Sequence, residues 1–217
     1  MKTALIISSF VASSHVGAAT SAFCLRRLGV QAHVLPTTTL GRHPGWGPPG
    51  GGPVPVETMT SMWDGIAARD MTFDAVLTGY MSSPEHARKA AGIIKSVQQN
   101  NPDVYIMVDP VMGDNGRLYI GADTADAIIA DLIPLANIIT PNLWELGYLT
   151  QTAPNTLDEI IDVLAAITAD TLVTSVPVRD QIGALLHSGK ETDLVRHEKF
   201  QTVPHGGGDA LAATYLA

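Results

Sequence analysis

Short apolar runs alternate with helical patterns along the whole chain. Most of the runs are continuously apolar rather than alternating, which is typical of strands buried on both faces of a sheet. They predict strands at Ala4–Val11, Ala32–Thr38, Ala75–Tyr80, Val104–Val108, Asn137–Thr140, Thr171–Val176, Ile182–His187 and Leu194–Phe200. Helical patterns lie between many of these runs, near residues 16–28, 57–68, 84–99, 123–132 and 157–168.

Repetition of strand and helix predicts an α/β fold with a mainly parallel sheet that is covered on both faces. Ser82 with Glu85, and Thr156 with Glu159, have the spacing of a capping box and predict two helix starts. In such folds ligands bind at the carboxyl ends of the strands. The 217 residues suffice for one sizeable core, so we expect a single domain over residues 1–217.

Residues 41–55 read GRHPGWGPPGGGPVP, a composition dominated by Gly and Pro. So many breakers disfavour a helix or a central strand, and we interpret this segment as a mobile loop or lid. A linker between two domains is the alternative. It is disfavoured because the preceding residues, about 40 in number, are too few to fold alone.

Composition excludes several classes of partner. The formal net charge of −8, the pI near 5.2 and the lack of a basic patch disfavour nucleic acid and membrane surfaces. The single cysteine, Cys24, precludes an internal disulfide, and the seven histidines show no metal-ligand spacing. The first apolar run, Ala4–Ile7, is short for a secretory signal, and no stretch approaches the ~20 apolar residues of a membrane helix. We therefore expect a cytoplasmic protein.

A glycine run opens directly onto a helix-forming segment near the end of the chain. The backbone N–H groups of Gly206, Gly207 and Gly208 can converge on an anion, and the helix N-terminus favours negative charge. Asp209 comes next, where a carboxylate would repel phosphate unless it serves as a general base. It could equally cap the helix. No GxxxxGK[ST] occurs and no GxGxxG follows the first strand, which excludes P-loop NTPases and Rossmann dehydrogenases.

Polar side chains also follow two predicted strands. Asp109 ends one strand, and Asn142 and Glu145 follow the next, so all three should project at one edge of the sheet. Their oxygens suit a hard cation such as Mg²⁺. Asp109 could instead belong to a simple turn and Asn142 could be a helix cap. Together with the glycine run they favour phosphoryl transfer, which needs both a metal and anion donors.

Taken together, DPVMGDNG at 109–116, TPNLWEL at 140–146, the strand ending at 173–175 and GGGD at 206–209 resemble the pyridoxal kinases of the ribokinase-like superfamily. The segment from Ser9 to Gly17, the sequence LGRHPGW at 40–46 and LTGY at 77–80 extend the resemblance over essentially the whole chain. It implies a ribokinase-like three-layer α/β/α sandwich. It also implies ATP-dependent phosphorylation of the 5′-hydroxymethyl group of pyridoxal, pyridoxine or pyridoxamine, a step of vitamin B6 salvage.

The resemblance implies a role for each matching residue. Asp209 would be the catalytic base, with Gly206, Gly207 and Gly208 as the anion hole. Substrate contacts would come from Ser9, Val16, His43 and Tyr80, and contacts to ATP from Asp109, Asn142, Glu145, Thr174 and Ser175. Asp109 and Glu145 would hold Mg²⁺, a monovalent cation such as K⁺ is a further cofactor, and relatives suggest a homodimer. From the residues alone, Tyr80 could simply be core and His43 a solvated loop residue.

Several residues depart from the family pattern, chiefly in the loop predicted to contact the substrate. Gly207 stands where the family has Thr, and Leu40, Pro44 and Trp46 replace Phe, Thr and Tyr in the loop. Only eight residues follow Asp209, whereas relatives continue through further helices, so we expect an incomplete chain or a missing wall of the adenine pocket. The alternatives are a hydroxymethylpyrimidine kinase and a non-catalytic binder of pyridoxal or nucleotide. A sugar kinase is disfavoured.

Overall fold

The computed structural model describes all 217 residues and is built on a nine-stranded sheet. The strands are β1 Thr3–Val11, β2 Gln31–Leu40, β3 Gly51–Pro53, β4 Ala75–Thr78, β5 Tyr105–Val108, β6 Gly113–Asp114, β7 Arg117–Leu118, β8 Ile138–Ile139, β9 Asp170–Val178, β10 Gln181–Ser188 and β11 Glu191–Glu198. The order across the large sheet is β11-β10-β9-β8-β5-β4-β1-β2-β3, and β6 and β7 form a separate hairpin. The six strands from β9 to β2 are parallel, whereas β3, β10 and β11 pair antiparallel at the two edges. The mainly parallel sheet is confirmed.

Seven helices cover the sheet: α1 Ala18–Arg27, α2 Val56–Ala67, α3 Pro84–Asn100, α4 Ala122–Ala127, α5 Leu143–Thr150, α6 Leu157–Leu164 and α7 Gly207–Leu216. Helices α1 and α7 pack together on one face, and α2, α3 and α4 lie on the other. Helices α5 and α6 pack against β9 and β10 through a smaller apolar cluster. These are the three layers expected from the sequence.

Strand β1 shows why its sequence is continuously apolar. Leu5 and Ile7 belong to the core cluster under α2 and α3, whereas Ala4 and Ile6 belong to the cluster under α1 and α7. All four side chains are fully buried. Because successive side chains of a strand point to opposite faces, a strand covered on both sides has no polar positions to alternate.

Several predicted boundaries differ from the structure. Helix α5 was not predicted, β4 ends at Thr78 rather than Tyr80, and the last strand ends at Glu198 rather than Phe200. The predicted helix 123–132 is α4 followed by a π-helical turn over Ile128–Leu132.

The two predicted helix starts have different outcomes. The capping box of Thr156 and Glu159 on α6 is confirmed. The start predicted at Ser82 is wrong, because the N-cap of α3 is Ser83, whose hydroxyl accepts from the N–H of His86. The hydroxyl of Ser82 instead donates to the carbonyl of Thr37, which belongs to β2.

The Gly/Pro-rich segment 41–55 is more regular than its composition suggests. It contains a 3-10 turn at Pro44–Trp46 and the edge strand β3, where a proline is tolerated because no second neighbour needs its N–H. The carbonyl of Val54 lies 2.7 Å from Nε2 of buried His86, which ties the end of the segment to α3. None of the seven helices is both long enough and apolar enough to cross a membrane.

Candidate active site

Three carboxylates from three different elements meet at the carboxyl edge of the parallel strands. Asp109 directly follows β5, Glu145 lies in the first turn of α5, and Asp209 lies in the first turn of α7. Asp109 and Glu145 are only 9% and 3% exposed, and Asp209 is half-buried. The charges of Glu145 and Asp209 both act on Asp109, so the three acids lie near one another at this edge.

The turn between β1 and α1 fixes the start of α7. Gly206, the N-cap of α7, has φ 93°, and a Cβ added there would overlap the carbonyl oxygen of His15. Gly17 has φ 62°, and a Cβ there would overlap the carbonyl oxygen of Ser9. The N–H of Gly17 faces the Asp209 carboxylate and lowers its pKa. Two glycines thus bring the substrate-side turn against the helix that carries the predicted base.

The glycine run leaves an open donor site beside Asp209. A Cβ added at Gly207 or Gly208 would meet nothing within 4 Å. The first N–H groups of a helix have no intrahelical partner, so those of Gly207 and Gly208 remain available to an anion. Burial raises the pKa of Asp209, and the facing N–H of Gly17 partly offsets this rise. A carboxylate with a raised pKa is a stronger base than an exposed aspartate.

Asp109 has surroundings that fit a bound cation. Burial, and then the negative charges of Glu145 and Asp209, raise its pKa well above the ordinary value. The hydroxyl of Thr140, at the carboxyl end of β8, faces Asp109 and partly offsets this rise, and the buried hydroxyl of Thr78, at the carboxyl end of β4, has no hydrogen-bond partner. A hard cation beside Asp109 would offset the repulsion and is the kind of ion that oxygen donors bind. No group of three or more His, Cys, Asp or Glu side chains is arranged to enclose a metal, so other ligands would come from phosphate or water.

Glu145 and Asn142 are engaged in fastening the backbone. Glu145 accepts hydrogen bonds from the N–H groups of Asn142 at 2.9 Å, Met112 at 2.7 Å and Gly113 at 3.2 Å. Asn142 accepts from the N–H of Glu145 and donates from Nδ2 to the carbonyl of Gly113 at 2.8 Å. This capping box ties the loop after β5 to α5, and it leaves little free hydrogen-bonding capacity on either side chain. Direct contact of these two residues with metal or nucleotide stays a prediction.

Thr174 and Ser175 form a β-bulge at the same edge. The register between β9 and β10 shifts so that both residues face Ala184 alone. The N–H of Thr174 donates to the carbonyl of Pro141 at 3.0 Å, and Ser175 is exposed with φ 62°. Bulges and left-handed residues turn side chains out of a sheet and are common beside active sites.

A cavity of about 890 Å³ opens on the α5 side of this bulge. Ser175 lines it together with Trp144, Tyr148 and Asp114 of the hairpin. Its size lies within the range usual for small-molecule sites.

The predicted pyridine-binding residues gather on the β1 side. Ser9 is buried at the end of β1, and Val16 is half-buried in the turn that contacts Gly206. The N–H of Tyr80 donates to Oγ of Ser8 at 3.2 Å, which holds the end of β4 against β1. Burial raises the pKa of the Tyr80 hydroxyl.

His43 reaches the site through a residue that the sequence analysis missed. Its imidazole stacks on that of His205, with ring centroids 4.2 Å apart and planes 19° apart. His205 directly precedes the glycine run, and this position was the available signal. Also missed were the role of Gly17, which lies within a quoted motif, and the buried hydroxyls of Thr78 and Thr140.

Comparison with known proteins agrees with the family resemblance of the sequence motifs. Residues 50–217 match the family model described as phosphomethylpyrimidine kinase. The pyridoxine/pyridoxal/pyridoxamine kinase of Bordetella avium is 32% identical over 97% of this chain and 75% of its own length. This chain spans between 59% and 79% of the length of seven related kinases.

Solved structures extend the likeness to three dimensions. The crystal structure of pyridoxal kinase from Entamoeba histolytica has a TM-score of 0.92 and 27% identity, covering all of this chain and 80% of its own. The pyridoxal kinase from Leishmania donovani in complex with ADP and ginkgotoxin has a TM-score of 0.90 and 25% identity, covering 100% and 78%. Together with the family match, these similarities show that the chain belongs to the pyridoxal kinase family of the ribokinase-like superfamily.

Proposed function

We propose that this chain transfers the γ-phosphoryl group of ATP to the 5′-hydroxymethyl group of pyridoxal, pyridoxine or pyridoxamine. The observation that carries the proposal is the Asp209 carboxylate, with its raised pKa, at the open N-terminus of α7. The B. avium relative is named for these three substrates, and the L. donovani structure holds ADP. The products are the 5′-phosphate of the vitamer and ADP.

Each group at the edge has a task in this reaction. Asp209 accepts the proton of the substrate hydroxyl as its oxygen attacks the γ-phosphorus, and the bond to the β-phosphate oxygen breaks. The N–H groups of Gly207 and Gly208 stabilise the charge on the transferred group. Ser9, Val16, His43 and Tyr80 surround the pyridine ring, and Thr174 and Ser175 contact the ATP phosphates. Positioning and charge stabilisation supply most of the acceleration.

Asp109 and the hydroxyls of Thr78 and Thr140 would hold Mg²⁺, with Glu145 acting through the loop that it fastens. When bound, the ion neutralises charge on the phosphates. A monovalent cation such as K⁺, a homodimeric state and a cytoplasmic location complete the proposal and rest on the family resemblance.

Hydroxymethylpyrimidine is the second candidate substrate, because the family model carries the description phosphomethylpyrimidine kinase. Both substrates present a hydroxymethyl group on a heteroaromatic ring to the same base. A non-catalytic binder is disfavoured because a carboxylate beside phosphate weakens binding unless it performs chemistry. Parallel assays of phosphorylation of pyridoxal and hydroxymethylpyrimidine would separate these three alternatives.

Replacement of Asp209 tests the mechanism. Asp209→Asn should lower kcat by ~10²–10⁴-fold, the usual effect of a lost general base, with little change in KM for pyridoxal. Exposed Asp103 at the opposite edge provides the control Asp103→Asn, which should behave as wild type. In the wild type kcat/KM should fall as the pH drops through the raised pKa of Asp209, because the protonated acid cannot accept a proton. Unchanged kcat in Asp209→Asn would contradict the assignment.

A further inference from the structure

Three rings connect the Gly/Pro-rich segment to the residue before the glycine run. His43 stacks on His205 at 4.2 Å, Trp46 lies 5.9 Å from His43 and 6.4 Å from His205, and both Trp46 contacts are tilted by about 60°. We call His43, Trp46 and His205 the ring cluster. Burial, and then the neighbouring His205, lower the pKa of His43, which favours neutral stacking over charge repulsion.

The tip of the segment has few other ties to the protein. Hydrogen bonds of residues 43–48 join only residues of the segment itself, such as the N–H of Gly45 to Nδ1 of His43 at 3.1 Å. The base of the segment is better held, because the carbonyl of Gly41 accepts from both the N–H and the hydroxyl of Ser13. Trp46 is 53% exposed. The side chain of His205 is therefore the main anchor of the tip.

The backbone beside His205 is held firmly while its ring reaches the segment. Gly206 is pressed against the carbonyl of His15 in a left-handed conformation, which fixes where His205 leaves the start of α7. The stacked ring in turn fixes the plane of the His43 imidazole. A ring on a fixed backbone can thus place a residue of a glycine-rich loop.

We propose that His205 is a positioning residue for the reaction, whose ring holds the tip of segment 41–55, through His43 and Trp46, over the start of α7. The proposal deepens the proposed function, on which it rests for its kinetic consequence. Its effect is on capture of the vitamer rather than on phosphoryl transfer, because His205 acts through His43 and not on the reacting atoms.

Two variants of His205 test whether an aromatic ring at this position is what holds the tip of the segment. His205→Ala removes the ring, and His205→Phe keeps a planar ring without the imidazole nitrogens. His197→Ala is the matched control, since His197 also stacks on an aromatic ring, that of Phe200 at 5.7 Å, but on the exposed edge strand. His205→Ala should raise KM for pyridoxal about three- to tenfold, the scale of one aromatic contact, with kcat within about twofold. His205→Phe should restore KM, and His197→Ala should leave both constants unchanged.

Limited proteolysis gives a readout that needs no activity. Trypsin can cut after exposed Arg42 when the tip lifts, and mass spectrometry follows the peptide that ends there. Cleavage should be faster by a similar factor in His205→Ala, and near wild type in His205→Phe and His197→Ala. Wild-type cleavage and KM in His205→Ala, or no rescue by Phe, would overturn the proposal. Absence of kinase activity in the wild-type protein would instead reject the proposed function and leave the cleavage result to decide the role of His205.

Discussion

The three glycines before Asp209 have different structural demands. Gly206 combines φ 93° with a contact so close to the carbonyl of His15 that no side chain fits. Gly207 and Gly208 face open space, and neither has a positive φ. Gly206 therefore holds α7 against the turn after β1, and the other two keep the N–H groups accessible.

This difference predicts unequal effects of alanine. Gly206→Ala should lower the free energy of unfolding by about 2–4 kcal/mol, because left-handed strain adds to an overlap with backbone that cannot yield. Gly208→Ala should change it by less than about 1 kcal/mol, since the added methyl group meets nothing. Urea unfolding measures both.

Gly29→Ala is the control for strain alone, because Gly29 has φ 85° and open space around its Cα. It should cost about 1 kcal/mol. Equal losses at Gly206 and Gly29 would show that the contact with His15 contributes nothing.

At the scale of elements, two helices begin with the same motif in opposite surroundings. Helix α5 starts with Asn142 and Glu145, and α6 starts with Thr156 and Glu159. Glu145 is buried and also binds two N–H groups of the loop after β5, whereas Glu159 is fully exposed. One capping box therefore joins distant segments, and the other only stabilises its own helix.

Glutamine substitutions should reveal this difference. Glu145→Gln should lower the free energy of unfolding by about 2–4 kcal/mol, because an NH₂ group would replace an oxygen that accepts from buried N–H groups. Glu159→Gln should cost less than about 1 kcal/mol, since glutamine also serves in exposed capping boxes. Hydrogen exchange at the amide of Gly113 should accelerate in Glu145→Gln alone. Equal exchange in both variants would contradict a fastening role for Glu145.

Local signals explain which elements the sequence predicts. The sequence predicts the buried parallel strands because both of their faces are apolar. It does not predict helix α5, because the eight residues LWELGYLT are mostly apolar, contain a glycine and show no polar face. The spacing of Ser82 and Glu85 puts the start of α3 one residue early, although Pro84 at the first helical position marks Ser83 as the N-cap.

The candidate site could be predicted only as far as strand ends reveal it. Asp109 ends a buried strand and Glu145 follows the next one, so their position at one edge follows from the parallel sheet, whereas Asp209 is marked only by the glycine run before a helix. The contacts of Glu145 with Met112 and of His43 with His205 join segments far apart in sequence. Such pairings depend on how loops pack, which no local pattern encodes.

Across the whole molecule, the fold brings like charges together. Asp109 comes from the centre of the sheet, Glu145 from α5 on one face, and Asp209 from α7 on the other. Burial raises the pKa of all three, and the charges of Glu145 and Asp209 raise that of Asp109 further. The protein as a whole carries a formal net charge of −8, so its overall charge does not offset the negative charges of these three carboxylates. These buried charges therefore lower the free energy of unfolding, and they lie at the edge where phosphate and cation are proposed to bind.

The cost should appear as a pH dependence of stability that Asp109 largely determines. A carboxyl whose pKa is raised on folding keeps its proton to higher pH in the folded state than in the unfolded state. The free energy of unfolding then falls as the pH rises from the ordinary pKa of 3.8 through the raised value. Asp109→Asn lacks this slope. In chelator-treated buffer its advantage over wild type should grow as the pH rises above 3.8 and level off once Asp109 ionises in the folded state, and it should appear as a higher Tm.

Added Mg²⁺ should then distinguish a cation site from a merely strained acid. The ion should raise the Tm of the wild type, because it binds the folded state. It should therefore reduce the difference in Tm between the wild type and Asp109→Asn, which has lost the charged ligand. The surface variant Asp103→Asn should follow the wild type at every pH and respond equally to Mg²⁺. Parallel pH curves for wild type and Asp109→Asn would mean that folding does not perturb Asp109. A Tm gain from Mg²⁺ of the same size in both would place the ion elsewhere, because a bound cation stabilises only the fold that supplies its ligands.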